Sequence, residues 1–386
     1  MTSRSIYLDH NATTPIDPRV ATAMQPYLTE LFGNPSSVDH EHGHAAGQAV
    51  EQAREQVAKT IGARSQEIIF TGSCTEANNL AILGIARAQS RKGHLITTQI
   101  EHPAILEPAR VLESEGWRVT YLPVDECGRV APESVQAAIG PDTVLVSVMA
   151  ANNEVGTLQP IREIGATCAK RNVLFHSDLA QIMASSAIDV ERDQIHLASI
   201  SGHKVYGPKG VGALYIRSRR PRVRVVPIMF GGGQERGLRS GTLNTPGIVG
   251  LGEALTLAAA QSKTDCDRLR TLCRRLFDHL VSAVPRVQLN GDPVQRLPNS
   301  LSLSIEGIEP LALIRHLRGS VSFSSSSACA TDKIETSHVL KAMFGDTPRA
   351  RQAFRLSPGR FTTEADIDTA ASLIVEAVPF LRRAAA

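Results

Sequence analysis

Short apolar runs alternate with amphipathic segments through the middle of the chain. These runs predict seven strands, at residues 67–71, 94–99, 118–124, 143–149, 172–178, 196–201 and 212–217. Segments with helical periodicity, such as ANNLAILGIARAQS and IREIGATCAKR, separate several of them. Strands of β-branched residues that alternate with helices favour an α/β fold with a mostly parallel sheet covered on both faces. Ligands of such sheets bind beyond the carboxyl ends of the strands.

The pattern changes after about residue 260. A long helical stretch leads there into the segment NSLSLSIEG, which we interpret as a serine-rich loop, and then into further helical and apolar segments. A chain of 386 residues exceeds a typical single domain. We therefore expect a large domain over residues 14–260 and a smaller C-terminal α/β domain over residues 261–386. Residues 1–13 are expected to pack on the smaller domain.

Composition and charge narrow the classes of function. The chain is 42% apolar and carries a formal net charge of +3, which is too mild to indicate nucleic-acid binding. It contains no apolar run of about 18 residues, so we expect no membrane span. The N-terminus lacks a basic-then-apolar signal pattern, and the six cysteines include no Cys-x-x-Cys pair. Reduced thiols and a cytoplasmic location are therefore expected.

The segment HEHGH, residues 40–44, matches the His-Glu-x-x-His pattern of zinc proteases. That mechanism needs both histidines one turn apart inside a helix. Here the match contains Gly43 and stands at the beginning of a helical pattern, so we expect no metal site.

Polar groups follow several predicted strands. In TGSCTE, hydroxyls and exposed backbone N–H groups at a helix N-terminus could cradle a phosphate, although Thr75 could equally cap the helix. His102 could stack on a planar ligand or be structural. Asp178 ends an apolar strand and needs a positive partner, which could be a protonated pyridine nitrogen or a structural ion pair.

Lys204 stands in SGHKVYGPKG, where a predicted buried strand ends. A partly desolvated lysine has a lowered pKa and becomes a nucleophile towards carbonyl groups. A phosphate cradle, a stacking ring, an acid for a pyridinium and an amine for an aldehyde are the parts that hold pyridoxal 5'-phosphate. We therefore predict that Lys204 forms the Schiff base with this cofactor.

Eight segments of the chain resemble, in order, the motifs of cysteine desulfurases of the NifS/IscS type. They are YLDHNATTP, FGNPSS, NNEVGTLQPI, HSDLAQ, SGHKVYGPKG, GGGQERGLRSGT, SSSSAC and RLSPGRFT, and the resemblance spans residues 6–375. It implies a homodimeric fold-type I pyridoxal-phosphate enzyme of the class V aminotransferase family. Such an enzyme converts L-cysteine to L-alanine and passes the sulfur, held as a persulfide, to a protein acceptor or scaffold. The acceptor could serve iron–sulfur cluster assembly, tRNA thiolation or DNA phosphorothioation.

The resemblance also implies roles for individual residues. Lys204 looks like the Schiff-base lysine, His102 like a stacking ring that carries protons, and Cys329 like the group that receives the sulfur. Asp178 is expected to contact the ring nitrogen of the cofactor and Gln181 its phenolic oxygen. The phosphate is expected to bind to Thr75, Ser201 and His203, with Cys74 nearby. Thr242 is expected to reach the phosphate from the partner subunit. The residues expected to bind the substrate are Arg355, Asn34 and Asn153, and Asn153 is also expected to contact the cofactor.

Two other hypotheses stay open on the sequence. An aminotransferase or selenocysteine lyase of the same fold would keep Lys204 and Asp178 but would not need Cys329. A non-catalytic scaffold protein that kept the fold could lose Lys204 or Cys329 without penalty, and both are present. Cys329 stands in a serine-rich stretch with few apolar anchors, which we expect to be mobile, and a purely structural thiol does not fit that setting.

Overall fold

The structure is a computed structural model that describes residues 5–325 and 336–385. The strands are β1 (Ile6–Tyr7), β2 (Ile68–Thr71), β3 (His94–Thr98), β4 (Arg118–Leu122), β5 (Thr143–Ser147), β6 (Leu174–Asp178), β7 (Leu197–Ser201), β8 (Gly212–Ile216), β9 (Val287–Asn290), β10 (Leu301–Ile305), β11 (Val321–Ser322), β12 (Ser324–Ser325) and β13 (Ala353–Leu356). The helices are α1 (Pro18–Met24), α2 (Pro26–Thr29), α3 (Glu41–Thr60), α4 (Cys74–Arg87), α5 (Pro103–Ser114), α6 (Pro132–Ala138), α7 (Ile161–Lys170), α8 (Thr245–Ala283), α9 (Pro310–His316), α10 (His338–Phe344), α11 (Pro348–Arg351) and α12 (Glu364–Ala385).

A seven-stranded sheet forms the centre of the fold, in the order β2-β8-β7-β6-β5-β3-β4. All neighbouring strands run parallel except β8, which is antiparallel to both β2 and β7. The seven predicted strands are all present, and the prediction of an α/β fold with a mostly parallel sheet is confirmed. Six strands therefore direct their carboxyl ends to one edge of the sheet.

Helices cover both faces of this sheet because successive side chains of a strand point to opposite faces. On β3, Leu95 belongs to one apolar core and its neighbour Ile96 to another. Leu145 and Val146 divide in the same way on β5. Burial on both faces explains why these strands read as continuous apolar runs in the sequence.

A second, antiparallel sheet has the strand order β12-β13-β10-β9 and a separate apolar core. Its strand β10 occupies the segment LSLSI, so the interpretation of NSLSLSIEG as a loop is wrong. Leucine and isoleucine alternate there with serine, and every residue of the strand is buried. The hydroxyl of Ser304 accepts a hydrogen bond from Asn290 Nδ2 at 2.9 Å and donates one to the carbonyl of Arg349 at 2.8 Å. These two hydrogen bonds allow the polar side chain of Ser304 to be buried, although the serine content of the segment predicts exposure to solvent.

The 39-residue helix α8 connects the two sheets. The predicted boundary between residues 260 and 261 falls inside this helix, and the division into two domains stays a prediction. Strand β1 pairs with β11, beside the smaller sheet. None of the helices within residues 5–325 and 336–385 is long and apolar enough to cross a membrane.

A buried ion pair fixes the segment that leads to Thr242. Arg54 of α3 contacts Glu235 at 2.7 Å, with 5% and 1% of the two side chains exposed, and Glu235 also accepts the backbone N–H of Phe70. We expect Arg54→Met to lower the free energy of unfolding by about 3–5 kcal/mol, because it leaves Glu235 buried without its cation. Denaturant titration measures this loss. Arg118→Met, which breaks an exposed pair with Asp142, is the control, and an equal loss in both variants would contradict the prediction.

Candidate active site

A cavity of about 410 Å³ opens at the edge where the parallel strands end. The turns after β2, β3, β5, β6 and β7 line it, together with the N-terminal segment and β13. Ten of the residues predicted from the sequence meet there: Cys74, Thr75, His102, Asn153, Asp178, Gln181, Ser201, His203, Lys204 and Arg355. This convergence follows from the topology, because the carboxyl ends of parallel strands meet at one edge of the sheet.

Three predicted residues do not line the cavity. Asn34 is exposed in the loop before α3, where its side chain accepts the backbone N–H of Ser36. Thr242 is exposed before α8 on the single chain described here. Cys329 lies outside the described residues, so the structure does not place it.

Lys204 ends a short 3-10 turn, Gly202–Lys204, immediately after β7. Its Nζ donates hydrogen bonds to the carbonyl oxygens of Ala12, at 2.8 Å, and Asn11. The pKa of Lys204 is lowered to about 8, chiefly by burial and also by the nearby Arg355, while the charges of Asp9 and Asp178 oppose the shift. A substantial fraction of this side chain is therefore a neutral amine near neutral pH, as an aldehyde-binding lysine requires.

Asp178 at the end of β6 is 7% exposed, and its carboxylate accepts hydrogen bonds from neutral groups. Asn78 Nδ2 donates to it at 2.7 Å, the backbone N–H of Ala180 at 2.8 Å and the thiol of Cys74 at 3.5 Å. Among the residues that the structure describes, Asp178 has no ion-pair partner within 4 Å. A buried carboxylate of this kind favours a cationic ligand, and the protonated nitrogen of a pyridine ring fits it.

The N-terminus of α4 lies against β8 at the same edge. Ser73 caps this helix by accepting the N–H of Glu76 at 3.1 Å, so Thr75 is not the capping residue. The hydroxyls of Thr75 and Ser201 make no hydrogen bond within the described parts of the chain. A Cβ atom on Gly212 would lie 2.9 Å from the backbone nitrogen of Cys74, which shows how closely β8 approaches the helix. The unused hydroxyls and N–H groups fit a phosphate.

His102 caps α5, and its Nδ1 accepts the backbone N–H of Ala104 at 3.0 Å. The neutral ring therefore carries its proton on Nε2. Burial lowers the pKa of His102 below the ordinary histidine value, and the positive charges of Lys204 and His338 act in the same direction. A neutral imidazole with a defined tautomer can stack on a ring or exchange a proton at Nε2.

Arg355 on β13 projects into the cavity with 8% of its side chain exposed. Its Nη1 donates to the carbonyl of Asn153 at 2.8 Å, and its Nη2 pairs with Asp9 at 2.7 Å. The guanidinium has five N–H donors, so several stay available to a carboxylate ligand. Asn153 and Arg355, both expected to bind the substrate, are thus in direct contact.

Among the lining residues without a role predicted from the sequence are Asp9, Asn11, Asn78 and Glu154. Asp9 and Asn11 belong to the quoted segment YLDHNATTP, and Glu154 belongs to NNEVGTLQPI, so the motifs held a signal for them. Glu154 accepts a hydrogen bond from Ser337, and burial raises its pKa to about 7. Asn78 follows Cys74 by one helical turn, and this spacing could have shown that its side chain points the same way.

The chain is similar to several known proteins. Residues 6–369 match the family model described as aminotransferase class V. A cysteine desulfurase from Mus musculus is 50% identical over 380 residues, which cover 98% of this chain and 82% of the mouse protein. A solved NifS-like protein superposes with a TM-score of 0.90 at 38% identity, covering 98% of this chain and 100% of that chain. A solved SspA in complex with cysteine gives a TM-score of 0.82 at 37% identity, covering 93% and 100%.

Proposed function

Because the chain belongs to the class V aminotransferase family, and within it to the cysteine desulfurases, we propose that it binds pyridoxal 5'-phosphate and removes sulfur from L-cysteine. One observation carries this proposal: a lysine of lowered pKa, a buried carboxylate without an ion pair among the described residues, and an arginine with unused donors meet in one cavity. These three groups suit the cofactor aldehyde, the ring nitrogen and the substrate carboxylate. The architecture is that of the fold-type I enzymes, to which NifS-like proteins belong.

The chain offers a partner for each part of the cofactor. Lys204 would bind the aldehyde, Asp178 the ring nitrogen and Gln181 the phenolic oxygen, while His102 would stack on the ring. Thr75, Ser201 and His203, together with the N–H groups of α4, would hold the phosphate. When bound, pyridoxal phosphate supplies an electron sink that weakens the bonds around the α-carbon of an amino acid.

The chain's own residues then bind the substrate and move its protons. Arg355 and Asn153 orient the carboxylate of L-cysteine, which fixes the substrate in the cavity. Lys204 Nζ, with its pKa near 8, and His102 Nε2 are the groups that accept and return protons near neutral pH.

Cys329 receives the sulfur. A sulfur–sulfur bond forms to the Cys329 thiolate as the carbon–sulfur bond of the substrate breaks. The electron pair of that bond stays with carbon, which takes up a proton as L-alanine forms. The persulfide on Cys329 then passes its outer sulfur to a protein acceptor, for iron–sulfur cluster assembly, tRNA thiolation or DNA phosphorothioation.

We further propose that the enzyme is a homodimer. Phe32 and Phe230 are 68% and 82% exposed, and exposed apolar side chains of this size mark interaction surfaces. Phe230 lies on the segment that carries Thr242, so a partner subunit seated there would bring its own Thr242 towards a cavity. The five described cysteines are all free thiols, which supports a reducing compartment such as the cytoplasm.

Reconstitution tests this function. We expect the protein mixed with pyridoxal phosphate to absorb visible light and, with L-cysteine and a thiol reductant, to release sulfide and L-alanine in equal amounts. Sulfide is measured colorimetrically and alanine by chromatography. Turnover of L-selenocysteine with no turnover of L-cysteine would favour the selenocysteine lyase hypothesis. A colourless protein after dialysis against the cofactor would favour the scaffold hypothesis.

A further inference from the structure

Asp9 places a carboxylate of the protein on the arginine that is proposed to bind the substrate. Its Oδ1 lies 2.7 Å from Arg355 Nη2, and the two side chains are only 17% and 8% exposed. Asp9 also lines the cavity itself. Any ligand carboxylate on the same guanidinium would therefore lie within roughly 6 Å of a second negative charge, a separation at which like charges disfavour one another.

Further contacts hold the side chain and the backbone of Asp9 in this position. Its other oxygen, Oδ2, accepts a hydrogen bond from the hydroxyl of Ser324 at 2.7 Å. Its backbone forms a bridge with Ser357, two residues after Arg355, and its carbonyl accepts the hydroxyl of Tyr7 at 3.1 Å. The carboxylate is thus held from both sides, and its charge is a fixed part of the carboxylate-binding site.

We propose that Asp9 is a specificity-determining residue that weakens the binding of ligand carboxylates to Arg355. It competes for the guanidinium, so a carboxylate ligand binds by sharing Arg355 with Asp9. This sharing keeps the affinity for amino acids moderate and eases the release of L-alanine, which carries the same carboxylate as the substrate. The inference rests on the proposed function in one respect, the assignment of Arg355 to the substrate carboxylate.

Asp9→Asn tests the charge while it preserves the contacts. The amide oxygen can still accept from Arg355, and the amide nitrogen can donate to the Ser324 hydroxyl, which is also an acceptor. Two ligands are titrated into the holoenzyme, L-alanine and ethylamine, and their dissociation constants follow from the change in cofactor absorption. Both ligands carry an amine, so an effect of Asp9 on Lys204 changes both constants alike, and their ratio isolates the carboxylate.

We expect Asp9→Asn to tighten L-alanine binding relative to ethylamine by roughly threefold to tenfold. Asp265→Asn is the matched control, because Asp265 pairs with Arg360 at 2.9 Å with 18% and 8% of the side chains exposed but does not line this cavity. It should leave the ratio unchanged. A ratio that stays constant or falls in Asp9→Asn would show that Asp9 merely orients Arg355, and the proposal would be overturned.

Two further variants keep the test decisive. Ser324→Ala removes the hydrogen bond to Asp9 but keeps its charge, so the ratio should not rise; a rise equal to that of Asp9→Asn would overturn the role of the charge. Arg355→Ala should weaken L-alanine binding and spare ethylamine. If it does not, the assignment of Arg355 in the proposed function fails. If it does and Asp9→Asn has no effect, only the inference about Asp9 fails.

Discussion

Replacing Lys204 by alanine abolishes sulfur release from L-cysteine, lowering the turnover number by more than about a thousandfold. The reason lies in the setting of the side chain. Burial lowers the pKa of Lys204 to about 8, so roughly a quarter of the molecules carry a neutral amine at pH 7.5, against about one in a thousand for an ordinary lysine. Among the residues that the structure describes, Lys204 is the only lysine that lines the cavity.

The loss is measured by sulfide and alanine release, together with a covalent readout that does not depend on turnover. Borohydride reduction of the wild-type holoenzyme should leave the cofactor on the peptide that contains Lys204. The Lys204→Ala protein should carry none. Lys209→Ala is the control, because Lys209 stands five residues later in the same loop and is exposed. Cofactor on another lysine, or a fully active Lys204→Ala protein, would contradict the assignment.

The pH dependence of wild-type cofactor capture follows from the same pKa. The pKa of about 8 describes the loss of a proton from the Lys204 ammonium group. The fraction of Lys204 present as the reactive neutral amine therefore increases as the pH rises through 8. The initial rate of colour formation on mixing apoprotein with pyridoxal phosphate should rise between pH 6.5 and pH 8.5 by about tenfold or more. A rate that keeps rising to pH 10 without levelling would indicate an unperturbed lysine.

Much of the sheet and of the cofactor site could be predicted from the sequence, for a physical reason. Strands buried on both faces must be apolar along their whole length, and their carboxyl ends must meet at one edge. Asp178 and Lys204 each follow such a strand, so their proximity follows from local pattern and topology alone.

Other features depend on contacts between distant parts of the chain. The pair of Asp9 and Arg355 joins residues 346 positions apart, and neither local sequence indicates its partner. The serine content of β10 predicts a loop, because serine is common in loops. Its serines are buried only because Asn290 and the backbone of Arg349 supply hydrogen bonds. Asn34 and Thr242 lie on the exposed surface of the single chain and away from its cavity, so their predicted contacts stay predictions.

The second large effect is expected at Cys329. Cys329→Ser should release sulfide from L-cysteine at least about a hundredfold more slowly than the wild type, while it still binds the cofactor and absorbs visible light. A serine hydroxyl has the size of the thiol but cannot hold a persulfide. Mass spectrometry of wild-type protein treated with L-cysteine, without reductant, should find one additional sulfur on the peptide that contains Cys329.

Cys74 is the alternative thiol, because it lies in the cavity beside Asp178. Burial and the negative charge of Asp178 raise its pKa well above the ordinary value, so the thiol stays protonated and serves as a hydrogen-bond donor to that carboxylate. A protonated thiol is a poor nucleophile. Cys74 should therefore carry no persulfide in the wild type and should not restore activity to Cys329→Ser. Cys127→Ser, which changes a thiol outside the cavity, is the control and should retain activity. Persulfide on Cys74, or a Cys329→Ser protein as active as this control, would move the sulfur-accepting role away from Cys329.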